Sequence, residues 1–225
     1  MSDAADAQTD GRPEPGASSE FGLVGGLSLD EAKARTELPA SQYRLWQLIW
    51  SDYVAHYREA PESDRRRALM FLPRMFVNPS MHACLLFRLI TGTPVYMNWF
   101  WRRLLIALHA CECLPYTRIG PGLRMPHPMG ILIGYGVIGR DVTIQHNVTL
   151  SPVRTNWRTG KLPGLFHIGD EVVVFPGSIV AGPIAVGDGA IIGANALITR
   201  DLPAGHITNG RKSRPATTGE RLGIE

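Results

Sequence analysis

"IGDEVVVFPGSIVAGPIAVGDGAIIGANALI", residues 168–198, places a branched apolar residue at every sixth position: Ile168, Val174, Val180, Val186, Ile192 and Ile198. A step of six fits neither the 3.6-residue turn of a helix nor the two-residue alternation of a half-buried strand. It is the signature of a parallel β-helix built from hexapeptides, in which a short strand and a tight turn form one side of a three-sided coil. The apolar residue points into the narrow prism. The glycine that often follows it, as in "IGDEVV" and "VGDGAI", permits the corner. The fold class predicted is therefore mainly β, with the six rungs stacked in phase.

The same step runs upstream. Ile138, Ile144 and Leu150 form one series, and Ile119, Met125 and Ile131 another, with a one-residue offset at "IGYGVIG" (133–139). Eighteen residues separate Leu150 from Ile168, as many as one full coil, yet "SPVRTNWRTGKLPGLFH" (151–167) does not carry the repeat well. This predicts a β-helix over 114–210 with a loop inserted at 151–167 between two regular coils. Insertions of this kind usually line the functional face of a repeat protein.

Ahead of the repeat the pattern is helical. Residues 36–113 contain "SQYRLWQLIWSDYVAHYRE", "DRRRALMFLPRMF", "PSMHACLLFRLIT" and "NWFWRRLLIALHAC", with apolar residues near 3–4 spacing and prolines as punctuation. They predict a small helical domain of about four helices. Residues 1–35 read as a poorly ordered tail, the first 20 being polar and rich in Pro, Gly and Ser. Residues 211–225 read as a basic C-terminal tail. Of the 225 residues, 44% are hydrophobic and 19% charged, and the net charge is +3. That balance does not announce a nucleic-acid binder, and it suits an anionic small ligand such as a nucleotide-bearing cofactor. Three cysteines are too few for a disulfide framework or a zinc cage. No apolar leader opens the sequence, and "MNWFWRRLLIALHACECL" is broken by Arg102 and Arg103 and too short to span a bilayer. A cytoplasmic setting is expected.

One histidine stands out. In "RMPHPMG" (124–130), His127 lies between two prolines that remove backbone donors and stiffen the path. Its ring can be a catalytic base, a metal ligand or a packed polar group. An imidazole titrates near neutrality and suits removal of a proton from a hydroxyl as that hydroxyl attacks a thioester. A carboxylate on the far ring nitrogen would fix the tautomer and stabilise the imidazolium.

The stretch "IGPGLRMPHPMGILIGYGVIGRDVTIQHNVTLS", the hexapeptides that follow it and the closing "NGRKSRPA" resemble the hexapeptide acyltransferases, most closely the serine acetyltransferase group. The upstream "IWSDYVAHY" and "NPSMHACLLFRL" resemble that group's helical lead-in, so the likeness covers roughly residues 48–215. It implies a left-handed β-helix assembled as a homotrimer that can pair further, with active sites in the clefts between prisms. It implies acetyl-coenzyme A as co-substrate, no metal, and His127 as the base that deprotonates the acceptor hydroxyl. Glu112, fifteen residues earlier, stands where the group carries the Asp that holds this histidine. Small residues of the last coils, Gly182, Gly187, Gly193 and Ala194, are the implied cofactor contacts, and Arg211 and Lys212 can meet its phosphates.

The sequence also departs from the group. The Asp that helps hold the serine amino group is replaced by Pro126, and the Arg-His pair before Ile168 by Gly164 and Leu165. A glycine near the reacting carbonyl is replaced by Pro152, which has no N–H to offer. His167, Arg154 and Arg158 are the residues able to take over the lost contacts, and His146 reads as a turn or trimer-contact residue. Serine or a serine-like hydroxyl compound is the first acceptor expected; a sugar or natural-product hydroxyl or amine is the alternative. A zinc site of His127, His146 and His167 lacks the close-spaced histidine pair such a site would need. A non-catalytic trimeric scaffold would have no use for a His127–Glu112 pair.

Overall fold

The computed structural model describes residues 43–57, 64–115, 117–152, 165–209 and 213–215. The expectations that rest on residues 1–35, Arg154, Arg158, Gly164, Arg211 and Lys212 lie outside these residues. The described chain opens with four helices: α1 (Leu45–His56), α2 (Asp64–Val77), α3 (Pro79–Gly92) and α4 (Val95–His109). Asn78 caps α3, its Oδ1 accepting from the Ser80 amide at 2.9 Å, and Pro79 takes the first helical position, where a missing N–H is harmless. α4 ends at Ala110, which adopts φ 51° and donates its N–H to the Ile106 carbonyl. That left-handed residue turns the chain straight into the first strand.

Among the described residues fourteen short strands follow, in three sheets. One stacks β1 (Glu112–Cys113), β3 (Leu132–Ile133), β6 (Thr149–Ser151), β9 (Ile179–Ala181) and β12 (Leu197–Ile198). The second stacks β2 (Arg118–Ile119), β4 (Gly136–Ile138), β7 (Phe166–Ile168) and β10 (Ala185–Val186). The third stacks β5 (Thr143–Ile144), β8 (Val173–Val174), β11 (Ile191–Ile192), β13 (His206–Thr208) and β14 (Ser213–Pro215). All pairings are parallel except β13 with β14. Successive sides of the prism therefore come from successive hexapeptides, and the rungs read from the sequence lie in register: Ile138 on Ile168 on Val186, Val174 on Ile192, Leu150 on Val180 on Ile198. These residues form one buried core.

Two details differ from the sequence reading. Thirty residues separate the paired Ile138 and Ile168, against eighteen between Ile168 and Val186, so the insertion adds twelve residues. Leu150 and Ile168 sit on adjacent sides of the prism, and the loop is inserted at the corner between them. The second detail is β14, which places Ser213–Pro215, read as basic tail, beside β13.

The helices are fastened to the prism by a buried ion pair. Arg88 of α3 donates from Nε and Nη2 to both carboxylate oxygens of Asp52 in α1, each at 2.8 Å, and both residues are 1% exposed. Nη1 also donates to the Ile119 carbonyl and Nη2 to the Gly120 carbonyl, each at 2.6 Å, and the Leu123 amide donates to Asp52 Oδ1 at 2.8 Å. Every polar atom of the pair is thus used, which is what makes its burial tolerable.

Candidate active site

The coil that carries His127 is irregular. Twenty residues separate the paired Cys113 and Ile133, and seventeen separate Ile133 and Leu150. The surplus sits in the corner "PHPMG". His127 adopts φ 58° there, a left-handed conformation uncommon outside glycine, and its carbonyl accepts the Met129 amide at 2.8 Å. The flanking prolines hold this path, and the imidazole is left exposed. The ring of His146, one coil on, meets it edge-on at 6.4 Å between centroids.

His127 lies on a pocket of about 570 Å³ between the prism corner and the helices. Phe76, Val77 and Pro79 line it from the α2–α3 junction, Leu108 from α4, and Pro128 and Met129 from the corner. Its remaining lining residues are two histidines that the sequence reading did not single out, His82 and His109. His82 Nδ1 and His109 Nε2 are hydrogen-bonded at 2.9 Å. Burial lowers the pKa of both rings, and in His109 the charge that His82 would bear lowers it further. The signal available in the sequence was the tripeptide His-Ala-Cys, which occurs at 82–84 and again at 109–111. Nothing in a sequence says that two such copies face each other.

The other candidates fall elsewhere. Glu112 opens β1, and its Oε1 accepts from Arg102 Nη2 of α4 at 2.5 Å; no hydrogen bond joins it to His127. His167 is 2% exposed in β7, registered between Val137 of β4 and Ala185 of β10, and does not line the pocket. Leu165 is buried. Gly187 and Gly193 lie against the next coil: a Cβ on Gly187 would stand 2.3 Å from the Ala204 amide nitrogen, and one on Gly193 2.3 Å from the Thr208 carbonyl oxygen. Coil stacking alone accounts for glycine at both. Gly182 adopts φ 123°, and Ala194 is exposed on the last coils. Among the described residues, no cluster of three or more His, Cys, Asp or Glu side chains could hold a metal ion, and no helix is long and apolar enough to cross a membrane.

A three-sided parallel coil of hexapeptides with a helical lead-in is the architecture of the hexapeptide acyltransferases, and residues 167–200 match the bacterial transferase hexapeptide (six repeats) family. Within that class the chain is similar to the serine acetyltransferase of Helicobacter pylori, with 39% identity over 150 residues, 64% of this chain and 84% of the relative. It is 32% identical over 150 residues to the serine acetyltransferase of Mycobacterium tuberculosis, covering 60% of each. Among solved structures it is similar to serine acetyltransferase isoform 3 of Entamoeba histolytica in complex with cysteine (27% identity, TM-score 0.58, 78% of this chain and 62% of that one). It is also similar to the soybean serine acetyltransferase complexed with serine (28% identity, TM-score 0.55, 76% and 69%). The chain belongs to the serine acetyltransferase family. Its prism is a left-handed β-helix and its class of chemistry is acyl transfer.

Proposed function

We propose that this protein transfers the acetyl group of acetyl-coenzyme A to the hydroxyl of serine or a serine-like compound, with His127 as the base. The observation that carries the reading is His127 itself, an exposed imidazole on a left-handed corner between two prolines at a pocket in a serine acetyltransferase fold. The neutral ring takes the hydroxyl proton as the oxygen attacks the thioester carbonyl. The C–S bond breaks, and the imidazolium returns the proton to the departing thiolate, leaving an O-acetyl ester and free coenzyme A. Glu112 is proposed as the carboxylate that steadies the imidazolium. In this structure Arg102 holds it, and catalytic contacts of this type commonly tighten only with substrate bound.

Coenzyme A is proposed to lie along the last coils. Exposed Ala194 leaves room for it there, Gly182 is proposed to meet it through its backbone, and Arg211 and Lys212 supply charge for its phosphates. Arg154, Arg158 and His167 remain proposed acceptor contacts across an assembled cleft. Assembly is proposed as a homotrimer, supported by an apolar stripe on the outer face of the first sheet, where Leu132, Ile179 and Leu197 point outward and exposed. Pairing of trimers through the helices is supported by an apolar groove lined by Trp46, Trp50, Leu72 and Phe76. Three buried free thiols and an acetyl-coenzyme A co-substrate fit a cytoplasmic setting.

One observation favours a second reading, transfer to a sugar or other natural-product hydroxyl or amine. Around His127 the described pocket wall offers three imidazoles and otherwise apolar side chains, with no carboxylate or guanidinium for a zwitterion. Thiol release from acetyl-coenzyme A, measured with L-serine beside a panel of sugars and hydroxy amino acids, separates the two. In either case His127→Ala should lower turnover at least a hundredfold with melting temperature unchanged. A folded variant with wild-type turnover would remove the assignment.

A further inference from the structure

The reading above uses one of the three histidines on the pocket. The other two act as a unit. Their 2.9 Å contact joins Nδ1 of His82 to Nε2 of His109, so a single proton lies between the rings. Two neutral imidazoles carry two protons in all, and the second must sit on one of the two outer nitrogens, His82 Nε2 or His109 Nδ1. Whichever tautomers are present, the neutral pair turns one donor and one acceptor outward. Neither outer nitrogen is hydrogen-bonded within the protein among the described residues, although His109 is only 9% exposed. Both nitrogens are accessible rather than sealed off, and both rings line the pocket, so a ligand there can take up the free donor and the free acceptor.

The rest of the lining restricts what that partner can be. Phe76, Val77, Leu108, Pro128 and Met129 are apolar, and no described lining residue carries a fixed charge. Burial disfavours protonation of either ring, so the pair meets its ligand uncharged. We propose that the His82–His109 pair is a specificity-determining wall of the acceptor pocket, which binds an uncharged part of the acceptor bearing both a donor and an acceptor, a second hydroxyl or a carboxamide. The proposal rests on the reading of this pocket as the acceptor site of His127. It assigns recognition to α3 and the end of α4, whereas His127 supplies the chemistry.

The probe is N-acetyl-L-serinamide, which is uncharged and carries one hydroxyl and two amides, compared with zwitterionic L-serine. His109→Phe and His82→Phe should each raise KM for the probe tenfold or more with kcat within threefold of wild type. His109→Gln, which keeps a donor and an acceptor near the lost nitrogens, should restore most of the affinity. A folded variant whose KM is unmoved, or whose loss lies in kcat alone, overturns the proposal. A reading independent of turnover comes from the imidazole ¹⁵N resonances of the full-length protein. Adding the probe should shift those of His82 and His109 in the wild type and equally in His127→Ala. Shifted resonances without thiol release from any acceptor would sink the acetyl-transfer reading and the pair's role in acceptor choice with it, while establishing the pair as a binding wall for the uncharged probe. Resonances unmoved at saturating probe, in a protein that acetylates L-serine, would sink this one alone.

Discussion

Arg88 and Asp52 lie side by side in the seam between helices and prism, two charges 1% exposed and bound to each other at two points. Burial pushes the Asp52 carboxyl above its ordinary value, while the guanidinium and the Leu123 amide pull it back. Arg88 also caps the carbonyls of Ile119 and Gly120 in the first coil, so this one side chain sets where α3 sits on the β-helix. The position of His82, one turn into α3, follows from it.

Removing one partner leaves the other charge buried and unpaired. Arg88→Met should cost about 3–5 kcal/mol, and Asp52→Asn with Arg88→Met together should cost less than Arg88→Met alone. Urea melts of the two single variants and the double form the thermodynamic cycle. Additive losses would show that the two side chains act independently.

The prism was legible because its inward residues recur at a fixed step, and Ile168, Val174, Val180, Val186, Ile192 and Ile198 all proved to be core. Counting residues does not count sides, however. The eighteen from Leu150 to Ile168 matched a coil in number while spanning a single corner. His127 was legible from its prolines. His82 and His109 were not, because their meeting depends on how two helices pack. The partner of Glu112 was hidden for the same reason: Arg102 lies ten residues back on a helix whose facing side the local pattern does not fix.

Two kinds of small residue in the last coils can be told apart. Gly193→Ala would drive a methyl group onto the Thr208 carbonyl, and Gly187→Ala one onto the Ala204 amide. Both should lower stability by about 1–3 kcal/mol, seen as a reduced melting temperature with or without coenzyme A. Ala194 is exposed, so Ala194→Trp should leave the melting temperature alone and raise KM for acetyl-coenzyme A at least fivefold. An unchanged KM would remove Ala194 from the cofactor site.

Cys84, Cys111 and Cys113 are all free and buried. Burial raises the pKa of each thiol, that of Cys113 to about 12, so almost none of the reactive thiolate exists at neutral pH. A chromogenic disulfide reagent should therefore titrate none of them in the native protein within minutes and all three after denaturation. The thiol-release assay then has no protein background. Rapid labelling of one thiol in the native state would show that the seam between α3 and the first coil opens.

Stability should fall as the solution is acidified from neutrality. Burial lowers the pKa of His56, His82 and His109 in the folded chain, whereas the unfolded chain titrates near the ordinary imidazole value of about 6.5. Just below that value the unfolded state binds more protons than the native one, so the free energy of unfolding decreases as pH falls. His56 adds to this because its Nδ1 lies 2.8 Å from the Asp52 carbonyl oxygen, fixing that nitrogen as a donor, while its Nε2 is buried without a partner and a second proton there would have nothing to meet. The melting temperature should therefore be lower at about pH 5.5 than at about pH 7.5, a window above the carboxylate range. In His82→Gln with His109→Gln the difference should shrink, because two of the three depressed groups are gone. A melting temperature flat across the window in the wild type would show that these rings titrate as freely folded as unfolded, and that the 2.9 Å contact between His82 and His109 does not persist in solution.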